Sequence, residues 1–381
     1  MKILIVVNSL QQGGAERAAI RVAESMLGDG HYIVIATWNN SRDFYKLDSN
    51  IERINLGEFF HHAGFLVPRL GRRFSNIGKY FNLIQHRSEI KKIKPDVVVC
   101  FEALVGSITA ISLLGTKFPV VISERVNPNP AVYKPHQIAK KLRPFIYKRI
   151  ATCSVQTQGF ANWVHSNWNI TAVVTPNHIP NDWIIKRVTI ENEVTRIVSI
   201  GRVEPQKGFD TLLNSWSRLG SITTGKSLEI FGSQNNPEYL EFLMKKAPSN
   251  VHFHDAQEDI KAVLDDSSVF VSSSRFEGFP NVVLEALARG VPTIASFSSD
   301  IINTLDNVNA LLGYEPEDED KLTAHLRRII EDSSTRIQLS MAANEAISHY
   351  TWKEVGNHWY LAIEKAKEQK LKRIRWFKYG W

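Results

Sequence analysis

The sequence predicts an α/β protein made of two doubly wound domains facing across a cleft, and three observations predict it. The first is length. A chain of 381 residues exceeds the roughly 100 to 200 residues that one domain usually organises, so two domains are expected over one. The second is alternation: short apolar runs rich in β-branched residues are each followed by a longer helical pattern, which gives a parallel sheet with helices on both faces. The third is a break between two groups of such units, at Thr175-Pro176-Asn177-His178-Ile179-Pro180-Asn181-Asp182, where prolines and Asn/Asp residues supply turn chemistry and mark a hinge.

The strands follow in order. Ile3 to Val7, Ile33 to Thr37, Val97 to Phe101 and Val120 to Ser123 form the first group; Ile197 to Ile200, Ser227 to Phe231, Val269 to Ser272 and Thr293 to Ala295 form the second. Ligands of doubly wound sheets collect outside the carboxyl ends of the strands, so the residues just after each run carry the functional information.

Composition narrows the class. With 43% hydrophobic and 22% charged residues the chain is globular, which excludes disorder, collagen-like repeats and a disulfide scaffold. Cys100 and Cys153 are the only cysteines and belong to no CxxC or Cys/His cluster, so neither a zinc site nor a disulfide framework is expected and a reducing compartment fits. The first apolar run meets Asn8 and Ser9 too early for a signal-peptide core. No run reaches the ~18 uncharged apolar residues of a membrane span. The protein is therefore expected to stay in the cytosol and span nothing. Its net charge of +7 is uneven: residues 1–190 hold 24 Lys+Arg against 12 Asp+Glu, and the remainder is acidic. That asymmetry leaves nucleic acid, an acidic bilayer and a phosphorylated substrate open as partners of the first half, although no nucleic-acid-binding motif appears.

Three stretches carry chemistry. After the first strand, Gly13-Gly14-Ala15-Glu16-Arg17 opens a helix; paired glycines let backbone amides approach an anion, with a tight turn as the plain alternative. The pattern is neither GxGxxG nor a P-loop. After Ile200 comes Gly201-Arg202-Val203-Glu204-Pro205-Gln206-Lys207-Gly208, which places two cations in a Gly-bounded loop. An Arg fork and a Lys point charge together neutralise a diphosphate, unless they are merely solvated. The most informative stretch runs Ser272-Ser273-Ser274-Arg275-Phe276-Glu277-Gly278-Phe279-Pro280-Asn281-Val282-Val283-Leu284-Glu285 and on to Gly290-Val291-Pro292. A helix is expected from about Asn281 to Gly290, with Glu277 before it and Glu285 inside it. A carboxylate can accept both hydroxyls of a ribose or two sugar hydroxyls, while a helix start faces anions.

This order of motifs, with Gly-Arg-x4-Lys-Gly about 70 residues before Glu-Gly-Phe-Pro-Asn-x3-Glu-Ala, resembles the retaining nucleotide-sugar glycosyltransferases of family 4, from Met1 to about Trp352. The resemblance implies the GT-B arrangement of two Rossmann-like domains: an acceptor-side domain over residues 1–178 and a nucleotide-sugar domain over 179–352. It also implies that residues 353–381 form a helix and basic aromatic tail packing back on the first domain. By the same resemblance, Gly13 and Gly14 would present amides near the donor diphosphate, and Arg202 and Lys207 would clamp it. Glu277 would face the donor sugar, Glu285 would take the ribose hydroxyls, and Gly278, Phe279, Pro280, Asn281 and Val282 would line the pocket. Such enzymes need no metal or cofactor beyond the donor. Asp318-Glu319-Asp320, after Pro316, reads as the acidic first turn of a helix rather than a metal motif.

Three positions depart from the family pattern. Ser123-Glu124-Arg125-Val126-Asn127-Pro128 puts an arginine where the family often has a histidine; His178 replaces a glycine; Phe297-Ser298-Ser299-Asp300 replaces a Gly-rich turn. Arginine cannot shuttle a proton at neutral pH but can bind an oxyanion. The expected function is metal-independent, retaining transfer of a hexosyl group from a nucleoside diphosphate sugar, uridine-linked, to a lipid-linked or envelope glycan. A non-catalytic sugar-nucleotide sensor and a GT-B epimerase or phosphorylase are the alternatives. An anionic membrane surface is the further expected partner, through Phe59 to Phe74 and the tail Lys370 to Trp381, where aromatic and aliphatic residues alternate with cations.

Overall fold

The computed structural model describes residues 1–11, 13–39, 43–57, 83–126, 137–185 and 193–379. The chain divides into two compact units, Met1–His178 with Val355–Trp381, and Ile179–Glu354, so the division falls inside the Pro/Asn-rich stretch.

In the first unit seven parallel strands lie in the order β3-β2-β1-β4-β5-β6-β7, with β1 at Lys2–Val7, β2 at Tyr32–Thr37, β3 at Glu52–Asn55, β4 at Val97–Phe101, β5 at Val120–Ser123, β6 at Thr152–Val155 and β7 at Val173–Val174. In the second, six parallel strands lie in the order β10-β9-β8-β11-β12-β13, with β8 at Arg196–Ile200, β9 at Ser227–Phe231, β10 at Val251–His254, β11 at Val269–Ser272, β12 at Thr293–Ser296 and β13 at Leu312–Tyr314. Both are doubly wound sheets whose order reverses beside the first strand, between β1 and β4 and between β8 and β11.

Helices explain why the central strands are continuous apolar runs. All five residues of β4 are buried, as a parallel strand covered on both faces requires. The helix Gly14–Gly28 lays Ala18, Ala19, Val22, Ala23 and Met26 inward, at the three-to-four spacing of a single apolar face. The edge strands β3 and β10 were not evident in the sequence because they are short and polar: β3 is entirely intermediate or exposed, and β10 carries His252 and His254. Register also separates the cysteines. Cys100 pairs with Ile122, which pairs with Cys153, so the two thiols stand two strands apart, about 10 Å, beyond disulfide reach. Both are free and buried.

The last helix, Trp352–Tyr379, runs mostly within the first unit. Trp359 is fully buried and stacks on Phe101 with ring centroids 5.5 Å apart, and Ala362, Ile363 and Ala366 continue the buried face. Among the described residues, no helix is long and apolar enough to cross a membrane. The segment Phe59 to Phe74, Asn127 and Pro128, and the end of the basic tail lie outside the described residues.

Candidate functional site

The reversal between β8 and β11 is where a ligand of the second unit is expected, and two close backbone approaches shape it. A Cβ on Gly232, just past β9, would lie 1.8 Å from the Gly201 carbonyl oxygen, and one on Gly208 would lie 2.1 Å from that of Ser273. Gly208 also has φ +62°. The loop after β8 is therefore pressed against the end of β11, which only a residue without a side chain permits. Polar contacts hold it there. Ser273 Oγ donates to the Lys207 carbonyl at 2.8 Å and Gln206 Nε2 to the Phe276 carbonyl at 2.9 Å. Arg275 forks onto Asp210 at 2.8 and 3.1 Å. Asp210 is held below its ordinary pKa: burial opposes this, but hydrogen bonds from Arg275 and Tyr239 outweigh it.

This packing brings Lys207 and Glu277 together. Lys207 Nζ lies 2.6 Å from Glu277 Oε1, which also accepts from Ser274 Oγ at 2.7 Å. Both side chains are mostly buried, at 20% and 14% exposure, so the pair is shielded yet reachable. Arg202 is half exposed and turned to Glu204 at 3.5 Å, a contact weak enough to yield to a stronger anion. The replaced Gly-rich turn has a visible part here, because the Ser298 carbonyl accepts from the Glu277 amide at 2.9 Å. The helix forms at Asn281–Ala288 after Pro280. The amides of Gly278, Phe279 and Val282 have no acceptor among the described residues, leaving donors aimed from a helix start. Glu285 is fully buried on that helix. Gly13 and Gly14 belong to the first unit. Ser273, Ser274 and Gly232 were missed as site-shaping residues; the run of three serines at a strand end was the available signal.

Asp318 accepts from the Lys321 amide at 2.8 Å and caps Glu319–Glu331, with Glu319 and Asp320 in the first turn.

In the first unit the expected anion seat at Gly13 and Gly14 is covered from within the chain. A Cβ on Gly13 would fall 2.0 Å from Glu16 Oε2, so the Glu16 carboxylate lies over the turn. At the switch point, Val6 pairs with Cys100, and Glu102 follows just past the end of β4. Glu102 takes φ +81°, a conformation L residues seldom adopt and one that concentrates at functional sites. Burial, reinforced by Glu16, pushes its carboxyl up to about 7, so it is partly protonated near neutrality and can donate to or accept from a hydroxyl. Arg125, in the family histidine's place, is buried; its Nη1 donates to Asn177 Oδ1 at 2.6 Å and its guanidinium lies 4.4 Å from the Phe101 ring centroid. Its Nε and Nη2 have no partner among the described residues, and burial lowers its pKa to about 9.

His178 is a buried structural residue, 1% exposed, with Nε2 2.8 Å from Ser25 Oγ. Burial, with Arg21 and Arg125 adding, depresses its pKa to about 3. Between its unfolded value near 6.5 and about 3, the unfolded chain binds a proton that the folded chain refuses, so stability falls as pH drops through that window. The expected loss is about 1 kcal/mol from pH 6 to pH 5. Urea midpoints at the two values check it: His178→Gln should flatten the dependence, and an unchanged slope would refute the assignment.

Similarity to known proteins bears on the family and the fold. Residues 194–332 match the family described as glycosyl transferases group 1. The chain is 27% identical over 375 residues, 96% of this chain and 99% of the relative, to the GalNAc-alpha-(1->4)-GalNAc-alpha-(1->3)-diNAcBac-PP-undecaprenol alpha-1,4-N-acetyl-D-galactosaminyltransferase of Campylobacter jejuni. Sucrose-phosphate synthase from Thermosynechococcus elongatus has a similar structure, with TM-score 0.79 and 16% identity, covering 96% of this chain and 99% of that one. So does HepE of Anabaena in complex with UDP and glucose, with TM-score 0.75 and 15% identity over 98% and 99%. The fold is GT-B, and the family match and relatives support a glycosyltransferase.

Proposed function

We propose that the chain is a retaining, metal-independent hexosyltransferase of family 4 that moves a sugar from a uridine-linked nucleoside diphosphate donor to a hydroxyl of a lipid-linked or envelope glycan, at the cytoplasmic face of a membrane. The observation that carries this reading is the pairing of Lys207 with Glu277 at the switch point of the unit that matches the transferase family. The named acceptor of the Campylobacter relative, carried on undecaprenol, supports the lipid-linked acceptor. The UDP and glucose bound to HepE support the donor.

The chemistry asks for positioning and charge stabilisation more than for a dedicated base. The acceptor hydroxyl attacks the anomeric carbon on the face the diphosphate leaves, and its proton passes to the departing phosphate oxygen. Lys207 exchanges Glu277 for the diphosphate, Arg202 exchanges Glu204, and the unpaired amides of Gly278, Phe279 and Val282 add neutral donors. Glu277, still held by Ser274, then accepts from sugar hydroxyls. Glu285 takes the ribose once the groups enclosing it move aside.

Transfer is the test. Nucleoside diphosphate released only in the presence of acceptor separates an enzyme from a sensor, and release that ignores acceptor would sink the reading. Two further outcomes are expected. Glu285→Gln keeps shape but removes the charge-assisted part of its hydrogen bonds, so affinity for uridine diphosphate should drop by about 1 to 3 kcal/mol; equal binding by calorimetry would remove Glu285 from the site. Turnover should survive EDTA, because fixed cations do the work of a metal; a strict need for Mg²⁺ or Mn²⁺ would demand different chemistry.

A further inference from the structure

The first unit holds a cluster of cations that the transfer chemistry does not use. Near the end of the last helix, Gln369 fixes the register: its Nε2 donates to the Tyr147 carbonyl at 3.3 Å, and its Oε1 accepts from Thr152 Oγ1 at 3.1 Å. Ala366, Lys370 and Arg373 follow at spacings of four and three, one face of the helix. Lys370 is only 8% exposed, and neither a hydrogen bond nor an ion pair of its ammonium is found among the described residues. Arg373 Nη1 is buried with no hydrogen-bond partner among the described residues. Arg87 is anchored from another element, donating to the carbonyls of Ser112 and Leu114. The charges acting on Lys370 are those of Arg373 and Arg87, both cationic; with burial, the larger cause, they lower its pKa to about 8.

Two guanidinium groups beside a desolvated ammonium, with no carboxylate acting on it among the described residues, form an arrangement that costs free energy until an anion arrives. Exposed apolar side chains on the residues next to these cations select the kind of anion. Ile84, one helical turn before Arg87, is 66% exposed; Leu114, whose carbonyl Arg87 holds, is 40% exposed; Leu371, beside Lys370, is 56% exposed. A free phosphate ion gains nothing from these side chains, whereas the interface of a bilayer offers phosphate and hydrocarbon side by side.

We propose that Arg87, Lys370 and Arg373 form a phosphate site at which the first unit docks on an anionic lipid headgroup, with Ile84, Leu114 and Leu371 entering the headgroup boundary. The proposal rests on the membrane part of the function above and names the residues that carry it.

The test is co-sedimentation of the full chain with vesicles of phosphatidylglycerol and phosphatidylcholine, against vesicles of phosphatidylcholine alone, at low and high salt. Lys370→Gln, Arg373→Gln and Arg87→Gln should each weaken binding to the anionic vesicles about fivefold, the ~1 kcal/mol carried by one basic side chain near such a surface. Leu371→Asp should weaken binding as well. Lys370→Gln should leave the melting temperature unchanged or raised, since it removes a strained cation, and a purely structural lysine would lower it; if it fails to fold, the two arginine variants decide. Lys245→Gln, in the second unit, is the control: an equal loss there would mean that binding follows net charge, overturning the site. Binding of the wild type with undiminished binding of all three variants would reject the site and leave the membrane reading standing. No binding of the wild type would reject both, while acceptor-dependent nucleotide release tests the transferase reading separately. Release of the protein by inorganic phosphate at matched phosphate concentration would reassign the site to a soluble ligand and overturn the lipid.

Discussion

Lys207→Ala and Arg202→Ala are each expected to lower turnover by about 2 to 4 kcal/mol of barrier, roughly thirty- to eight-hundred-fold, the scale for losing one preorganised donor to a developing oxyanion. The two residues reach that loss differently. Arg202 is half exposed and only loosely held by Glu204, so its removal takes away a guanidinium fork and disturbs little else. Removing Lys207 also strips the cation from Glu277, which would keep only Ser274 among the two partners of its Oε1. The Lys207→Ala, Glu277→Ala pair should therefore be less than additive, since after the first change the second no longer breaks the same contact. Steady-state turnover with a saturating donor checks this. Turnover within about threefold of wild type in both single variants would mean that the loop after β8 does not stabilise the leaving group.

The same loop marks how far the sequence could be read. Strand ends were legible because a buried parallel strand is a continuous apolar run and its end is marked by a change to Gly, Ser or charge, as at Ile200 to Arg202 and Ser272 to Arg275. Edge strands were not, because β3 and β10 answer to water on one side and carry Glu52, Arg53, His252 and His254. Sequence patterns give Lys207 and Glu277 separate roles on a donor. Their mutual ion pair depends on loops about 70 residues apart in sequence being pressed together where Gly208 meets Ser273, and no local pattern encodes that. Glu102 stayed hidden for a different reason: φ +81° at a glutamate violates local preference, so reasoning from preference points away from it. Glu16, part of the Gly-Gly-Ala-Glu motif, covers Gly13, so the motif's acid competes for the very turn its glycines open.

Gly208→Ala is expected to damage both the stability of the second unit and its site. Two costs fall on it together. At φ +62° an L side chain is held in the left-handed region, about 1 to 2 kcal/mol above its preferred conformation. The added Cβ also lies 2.1 Å from the Ser273 carbonyl oxygen and 3.7 Å from Ser273 Cβ. A flexible side chain could swing away from such a clash, but a backbone carbonyl at the end of β11 cannot, so the loop itself must retreat, adding about 1 to 3 kcal/mol of overpacking strain. The total, about 2 to 5 kcal/mol, should appear as a lower urea midpoint with an unchanged slope. Function should fall further than stability, because the retreat carries Lys207, whose carbonyl Ser273 Oγ holds, away from Glu277 and from any diphosphate placed beside it. Gly220→Ala is the matched comparison: its φ of +56° imposes the same conformational cost, but its Cβ meets nothing within 4 Å. It should lose only the strain and keep donor affinity. Equal effects of the two substitutions on uridine diphosphate binding would show that backbone conformation alone matters at Gly208, and that the close approach to Ser273 does not set the geometry of the site.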